Sequence, residues 1–131
     1  MTLQTDITRT AKASVWLDEE GFLWVKPDKG VELDGDDVLA CFEVYRQLGC
    51  HKNNRVWQVM DGTSDFTMTR EARENAALYG EEFFKASAMI TESLAIRLIV
   101  NFFNRFYKIG VPFRSFPSEA EAKLWLRTQK G

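Results

Sequence analysis

The sequence has little of what most enzymes, metalloproteins and nucleic-acid binders depend on. Its 131 residues include one histidine, two cysteines and three prolines, and its formal net charge is −2. This charge balance argues against a general nucleic-acid binder, which would normally carry a basic excess. Cys41 and Cys50 show neither the CxxC spacing of a metal knuckle nor the number of cysteines of a disulfide framework. We therefore expect reduced thiols, no metal site and no cofactor.

A long apolar run is also missing. The apolar stretch around Leu98–Val100 ends at Asn101, far short of the roughly 20 residues that span a bilayer. The N-terminus has no basic cluster or apolar core typical of a secretion signal. We expect no integral membrane segment and a cytoplasmic location. With 45% hydrophobic and 27% charged residues, the composition predicts one globular domain over residues 1–131, with 1–12 poorly ordered.

Strand and helix patterns alternate along the chain and predict an α/β fold. Two β-rich runs, 14–17 and 22–26, are separated by a short polar turn, which predicts an antiparallel hairpin. Runs at 55–60, 86–91 and 111–116 predict three further strands, with helices between them. This order predicts a mixed sheet of about five strands, with the hairpin first and parallel strands after it, packed against about four helices.

Residues suited to N-caps mark where the four helices begin. The first helix is expected to start within the acidic segment 34–37, the second near Thr69 and the third at Ser93. Ser118 with Glu121 three residues later forms a capping box before the last helix.

The segment after strand 55–60 is crowded with hydroxyl and carboxylate groups. In open α/β sheets, ligands bind at the carboxyl ends of strands, and a following helix N-terminus can receive an anion. Turn formation and helix capping by the same side chains are the competing interpretation. The candidate ligand or phosphoacceptor residues are Asp61, Ser64, Thr67, Thr69 and Ser93.

Signals of catalysis are few. His51 lies in a polar loop beside Cys50, and adjacency in a loop does not by itself form a catalytic unit. Asp61 and Glu92 would form a carboxylate pair for acid–base work if their strands are neighbours. We predict a protein that is not an enzyme, with no catalytic residues, and keep an Asp61–Glu92 enzyme as a third alternative.

The predicted third helix is apolar over more of its surface than contact with one sheet requires. At 100° per residue its apolar side chains cover about 200° of the circumference, roughly twice what such packing uses. A homodimer interface, a lipid-like ligand or a neighbouring helix of the same fold would each cover the excess. The candidate interface or apolar-ligand residues are Leu98, Phe102, Phe106 and Ile109.

Several segments together resemble a known family. They are Val59–Asp61 ending a strand, Thr69–Arg73 opening a helix, the alanine-rich Lys85–Ser93, the strand Val111–Phe116 and the helix Glu119–Leu126. In this order they resemble the SpoIIAA-like proteins, also called STAS-like or STAS/SEC14-type domains. The resemblance covers residues 55–127, and more loosely the hairpin and first helix.

The resemblance implies a small, non-catalytic regulatory or binding module. Relatives of this fold include anti-anti-sigma factors, which bind a kinase partner and are switched by phosphorylation, and SEC14-like domains, which hold lipids. The switch serine of the former lies in a DSSG segment, where this chain has Thr67–Arg70, so Thr67 and Thr69 are the substitutes by position.

Our main hypothesis is a bacterial, cytoplasmic module that acts through protein association and forms a homodimer. The alternative is a carrier or sensor of a lipid-like or small apolar ligand.

Overall fold

The computed structural model describes residues 6–106 and 110–130. The chain enters its main sheet through the predicted hairpin, formed by β2 (Ala13–Leu17) and β3 (Leu23–Pro27). The turn between them includes Gly21, whose φ of +86° is a backbone conformation that glycine adopts without strain. Asp18 Oδ1 accepts from the backbone N–H groups of Glu20 and Phe22 and holds this turn closed.

The main sheet has six strands in the order β1-β2-β3-β5-β7-β8. The remaining strands are β1 (Thr8–Arg9), β5 (Val56–Asp61), β7 (Phe84–Ile90) and β8 (Phe113–Phe116). β1, β2 and β3 pair antiparallel, and the pairs from β3 onward are parallel. The predicted mixed α/β architecture is confirmed. The sheet has one strand more than the expected five because Thr8–Arg9, within the segment 1–12, pairs with β2.

A second, two-stranded parallel sheet was not predicted. It joins β4 (Val31–Leu33) to β6 (Phe66–Met68). Each strand has only three residues and adjoins glycine or aspartate, so its local sequence is typical of a loop. The pairing depends on residues far apart in the chain, which local patterns do not reveal.

The described residues form four helices: α1 (Gly35–Gln47), α2 (Arg70–Tyr79), α3 (Leu94–Phe106) and α4 (Glu119–Leu126). A 3₁₀ turn, Gly80–Glu82, follows α2. The predicted caps are present, since Asp34 and Asp37 form a reciprocal capping box on α1, and Thr69 and Ser118 accept from backbone N–H groups of α2 and α4.

The helices divide between the two faces of the sheet. Ala86, Ala88 and Ile90 of β7 pack with Ala122 and Leu126 of α4 on one face. The alternate residues of the same strand turn toward α1, α2 and α3 on the other face. The candidate site lies on this second face.

Candidate functional site

Asp61, the predicted candidate at the end of β5, shapes the turn that follows the strand. Asp61 Oδ1 accepts from Thr63 N at 3.0 Å and from Thr63 Oγ1 at 2.6 Å. Asp61 is paired in register with Ile90 of β7, which places it at the same edge as Thr91–Ser93. The carboxylate of Asp61 is thus engaged in shaping its own loop, whereas Glu92 is exposed.

Two other candidates cap helices. Thr69 Oγ1 accepts from Ala72 N at 3.1 Å, and Ser93 Oγ accepts from Ile96 N at 3.3 Å. Ser64 is half-buried in the loop and Thr67 is exposed on β6. The structure therefore gives local roles to Asp61, Thr69 and Ser93, and their roles as ligand or phosphoacceptor residues stay predictions.

His51 is likewise engaged locally, because its Nδ1 accepts from Asn53 N at 3.2 Å in an exposed loop. Within residues 6–106 and 110–130, no group of three or more histidine, cysteine, aspartate or glutamate side chains is arranged to hold a metal ion.

An apolar cavity of about 120 Å³ lies between the second face of the sheet and the three helices that cover it. An engineered cavity of about 150 Å³ in another protein holds benzene, so this space suits a body about as large as one aromatic ring. It reaches the surface, because Thr67 and Glu81 on its wall are exposed. The apolar walls come from every element around it: Val38 of α1, Ala76 and Ala77 of α2, Ile96, Ile99, Val100 and Phe103 of α3, and Val25, Met60, Met89 and Phe113 of the sheet.

The small residues of α2 leave this space open. Ala76, Ala77 and Gly80 line the cavity, where leucine-sized side chains would fill it. α2 packs chiefly on α1 rather than on the sheet.

Three buried polar side chains form the floor of the cavity. Ser87 Oγ donates to Gln58 Oε1 at 2.7 Å, and Gln58 Nε2 donates to Tyr45 Oη over a longer 3.4 Å. The ring of Tyr45 is held by edge contacts with Phe42, Phe83 and Phe84. The floor is therefore a fixed row of hydrogen-bonding groups inside apolar walls.

Tyr45 of the floor and the neighbouring Cys41, which also lines the cavity, are held in their neutral forms. Burial raises the pKa of the Tyr45 phenol well above its usual value, and the adjacent Cys41 raises it further. Burial also raises the pKa of the Cys41 thiol to about 11. Near neutral pH the floor can thus offer neutral hydrogen-bond donors and acceptors but no anion.

Of the three charged residues on the wall, Asp37, Arg73 and Glu81, the first two differ in their surroundings. Asp37 Oδ2 is 2.7 Å from Lys12 Nζ and also accepts from Asp34 N. Arg73 Nη1 donates to the backbone oxygen of Met68 at 2.7 Å. Its buried Nε has no hydrogen-bond partner within the part of the chain that the structure describes.

The outer face of α3 carries the predicted interface candidates. Leu98 is 57% exposed and Phe102 is 48% exposed, and Leu94, four residues before Leu98, is 62% exposed. The other side of the helix, with Ile96 and Val100, is buried. Ile109 and the side chain of Phe106 lie outside the described residues.

Sequence reasoning did not single out Tyr45, Gln58, Arg73 or Ser87. A signal was present, because Gln58 and Ser87 are uncharged polar residues in the middle of buried strands. Such a residue needs a buried partner. Arg73 stands out less, since one arginine on an exposed helix is ordinary.

Comparison with known proteins supports the fold. A family profile described as a domain of unknown function, DUF7793, matches residues 15–130. A search of curated proteins found no match. Among solved structures, the chain is similar to an uncharacterised DUF3478-family protein from Shewanella loihica PV-4, described as having a SpoIIAA-like fold. The TM-score is 0.60 at 18% identity, and the alignment covers 94% of this chain and 92% of the other.

The resemblance to SpoIIAA-like proteins is thereby confirmed at the level of the fold. Among the described residues, no helix is both long enough and apolar enough to cross a membrane.

Proposed function

From the premise that this chain belongs to the DUF7793 family and has a SpoIIAA-like fold, we propose that it is a non-catalytic, STAS-like module that binds a small, mostly apolar molecule. The observation that carries the proposal is the cavity of about 120 Å³ with its polar floor. Binding pockets typically combine apolar walls with a few convergent polar groups. The volume favours a ring-sized ligand over a whole lipid.

The polar floor would fix the orientation of a bound ligand. A hydroxyl or carbonyl on the ligand would find Ser87, Gln58 and Tyr45 held in place by one another. Their order is fixed before a ligand arrives, which lowers the entropic cost of binding. The buried thiols of Cys41 and Cys50 are consistent with the reducing cytoplasm of a bacterium, which is the setting that we propose.

A methyl NMR titration with benzyl alcohol, a ring-sized probe with one hydroxyl, tests the proposal. We expect shifts at Ile96, Ile99 and Val100, which line the cavity, and none at Leu126 on the other face of the sheet. The variant Ala77→Leu should fill the space and abolish the shifts. The matched control is Ala40→Leu, because Ala40 is exposed on α1.

The proposal fails if neither benzyl alcohol nor a charged probe of the same size, benzoate, perturbs these methyl groups in the wild-type protein. It also fails if Ala77→Leu, folded as judged by circular dichroism, binds the probes as the wild type does.

A second candidate function is association with another copy of the chain through α3. Leu94, Leu98 and Phe102 recur every four residues, so their exposed side chains form one ridge along the helix. A continuous exposed apolar surface of this kind is typical of interaction sites. This is the homodimer of our sequence-based hypothesis, and a different protein partner would use the same ridge.

Light scattering coupled to size-exclusion chromatography tests this candidate. We expect a dimer in the wild type and a monomer for Leu98→Glu, with unchanged circular dichroism. Leu124→Glu makes the same change at an exposed leucine of α4, away from this ridge, and should remain a dimer. A wild-type protein that is monomeric at high concentration contradicts self-association.

A further inference from the structure

Arg73 brings a positive charge to the wall of the cavity. Its Nη1 donates to Met68 O at 2.7 Å. Its Nε is buried and donates to no acceptor in residues 6–106 and 110–130. A buried donor without an acceptor loses its hydration and gains nothing in return, so such donors are rare in folded proteins.

The nearby carboxylates do not fill this role. Asp37, from α1, is bonded to Lys12 Nζ at 2.7 Å. Glu81 is eight residues beyond Arg73, which corresponds to about 12 Å along a helix axis. Neither is within ion-pair distance of the guanidinium among the described residues. The guanidinium of Arg73 is therefore available to an anionic group of a molecule in the cavity.

We propose that the ligand is a small carboxylic acid whose carboxylate binds the guanidinium of Arg73 and whose apolar body lies in the cavity. This inference rests on the proposed function and names the class of molecule bound. Arginine presents its N–H groups as a planar fork that matches the two oxygens of a carboxylate. Nη1 is committed to Met68 O, which leaves Nε and Nη2, the pair that lies along one edge of the fork.

The rest of the cavity fits such a molecule. Ile96, Val100 and Phe113 supply apolar walls for the body of the acid. Its volume of about 120 Å³ suits an apolar body no larger than one aromatic ring, as in a small aromatic acid or a short-chain fatty acid. An uncharged molecule of the same shape leaves the Arg73 Nε without an acceptor and is expected to bind more weakly.

A comparison of charged and neutral probes tests the inference. Benzoate and benzamide have nearly the same shape and differ in charge. We expect benzoate to bind the wild-type protein about tenfold more tightly or better in an NMR titration, because hydrogen bonds between charged groups are the stronger ones. Arg73→Gln should remove this preference while leaving the affinity for benzamide nearly unchanged.

Two further variants separate charge from geometry. Arg73→Lys keeps the charge but loses the fork, so it should retain only part of the preference. Arg70→Gln is the matched control, because Arg70 is exposed on the same helix and pairs with Glu74; it should bind as the wild type does.

The outcomes distinguish the two proposals. If benzamide and benzoate bind the wild type equally well, the cavity is a ligand site but the assignment of Arg73 as its carboxylate receptor is wrong. If neither probe nor benzyl alcohol binds, the proposed function itself fails. The comparison of probes on the wild type decides the matter even if Arg73→Gln does not fold.

Discussion

The ammonium of Lys123 lies 3.0 Å from Asp18 Oδ2, which ties the last helix to the turn of the first hairpin. The same ammonium is 3.0 Å from Glu20 and 3.2 Å from Glu119. It also lies 5.0 Å from the centre of the Phe22 ring. One nearly buried lysine thus joins three carboxylates on two elements and closes the α4 face of the sheet.

Replacing this lysine should destabilise the protein. Lys123→Met keeps much of the apolar stem but leaves Asp18 without its cation. We expect a loss of about 2–3 kcal/mol in the free energy of unfolding, less than for a fully buried pair because Glu20 and Glu119 are half exposed. Urea denaturation measures the loss. Lys29→Met, at an exposed position, is the control, and an equal effect of both variants would contradict this role.

Asp18 should make stability fall in acid. Burial raises the pKa of Asp18, but hydrogen bonds from Trp24 Nε1, Lys123 Nζ and Phe22 N outweigh it and lower the pKa below its ordinary value. A carboxyl group whose pKa is lower in the folded state contributes stability that is present above its unfolded pKa of about 3.9 and is lost as the pH falls through its folded pKa.

The free energy of unfolding of the wild type should therefore decrease more steeply below about pH 4 than that of Asp18→Asn. Asp65→Asn, at an exposed position in the loop before β6, should follow the wild-type curve. Parallel curves for the wild type and Asp18→Asn would show that Asp18 is not responsible for the acid sensitivity.

The hydroxyl of Thr69 should matter for stability because it caps α2. Thr69→Ala removes the acceptor for Ala72 N and is expected to cost about 1 kcal/mol. Thr69→Ser keeps a hydroxyl in place and should recover most of that free energy. A thermal unfolding series compares the three proteins, and equal stability of Thr69→Ala and the wild type would disprove the capping role.

Both thiols should be unreactive in the folded protein. Burial raises the pKa of Cys41 to about 11 and also raises the pKa of Cys50, so few thiolates exist near neutral pH. With Ellman's reagent we expect no rapid reaction in the native state and two thiols after denaturation. Gln47→Cys, at an exposed site of α1, should add one rapidly reacting thiol. Rapid labelling of the wild type would contradict the burial of these side chains.

The order of the four helices and of strands β2, β3, β5, β7 and β8 was predictable because each depends on local chemistry. Gly21 and Asp18 make the hairpin turn, and Asp34, Thr69 and Ser118 cap helices within three residues of themselves. The pairing of β4 with β6 was not predictable, because neither three-residue strand has a pattern of its own.

The cavity was still harder to foresee. Its lining combines Ala76, Ala77 and Gly80 with Met89 and Val100. These residues belong to different elements, so no single segment of the sequence reveals the cavity. The sequence gives a sign of the polar floor alone, because Gln58 and Ser87 are polar residues in largely apolar strands. The role proposed for Arg73 rests on its buried Nε, which has no hydrogen-bond partner among the described residues, and only the folded arrangement shows this.

The small β4–β6 sheet joins the starts of two helices that border the cavity. β4 leads into α1 and β6 into α2, and their pairing continues where Thr69 N donates to Leu33 O at 2.9 Å. α1 and α2 therefore start from one pair of hydrogen-bonded strands, so we expect a tilt of one helix to tilt the other. α3 instead follows β7 of the main sheet. We expect the part of the cavity wall formed by α1 and α2 to keep its shape when a ligand enters past the exposed Thr67 and Glu81.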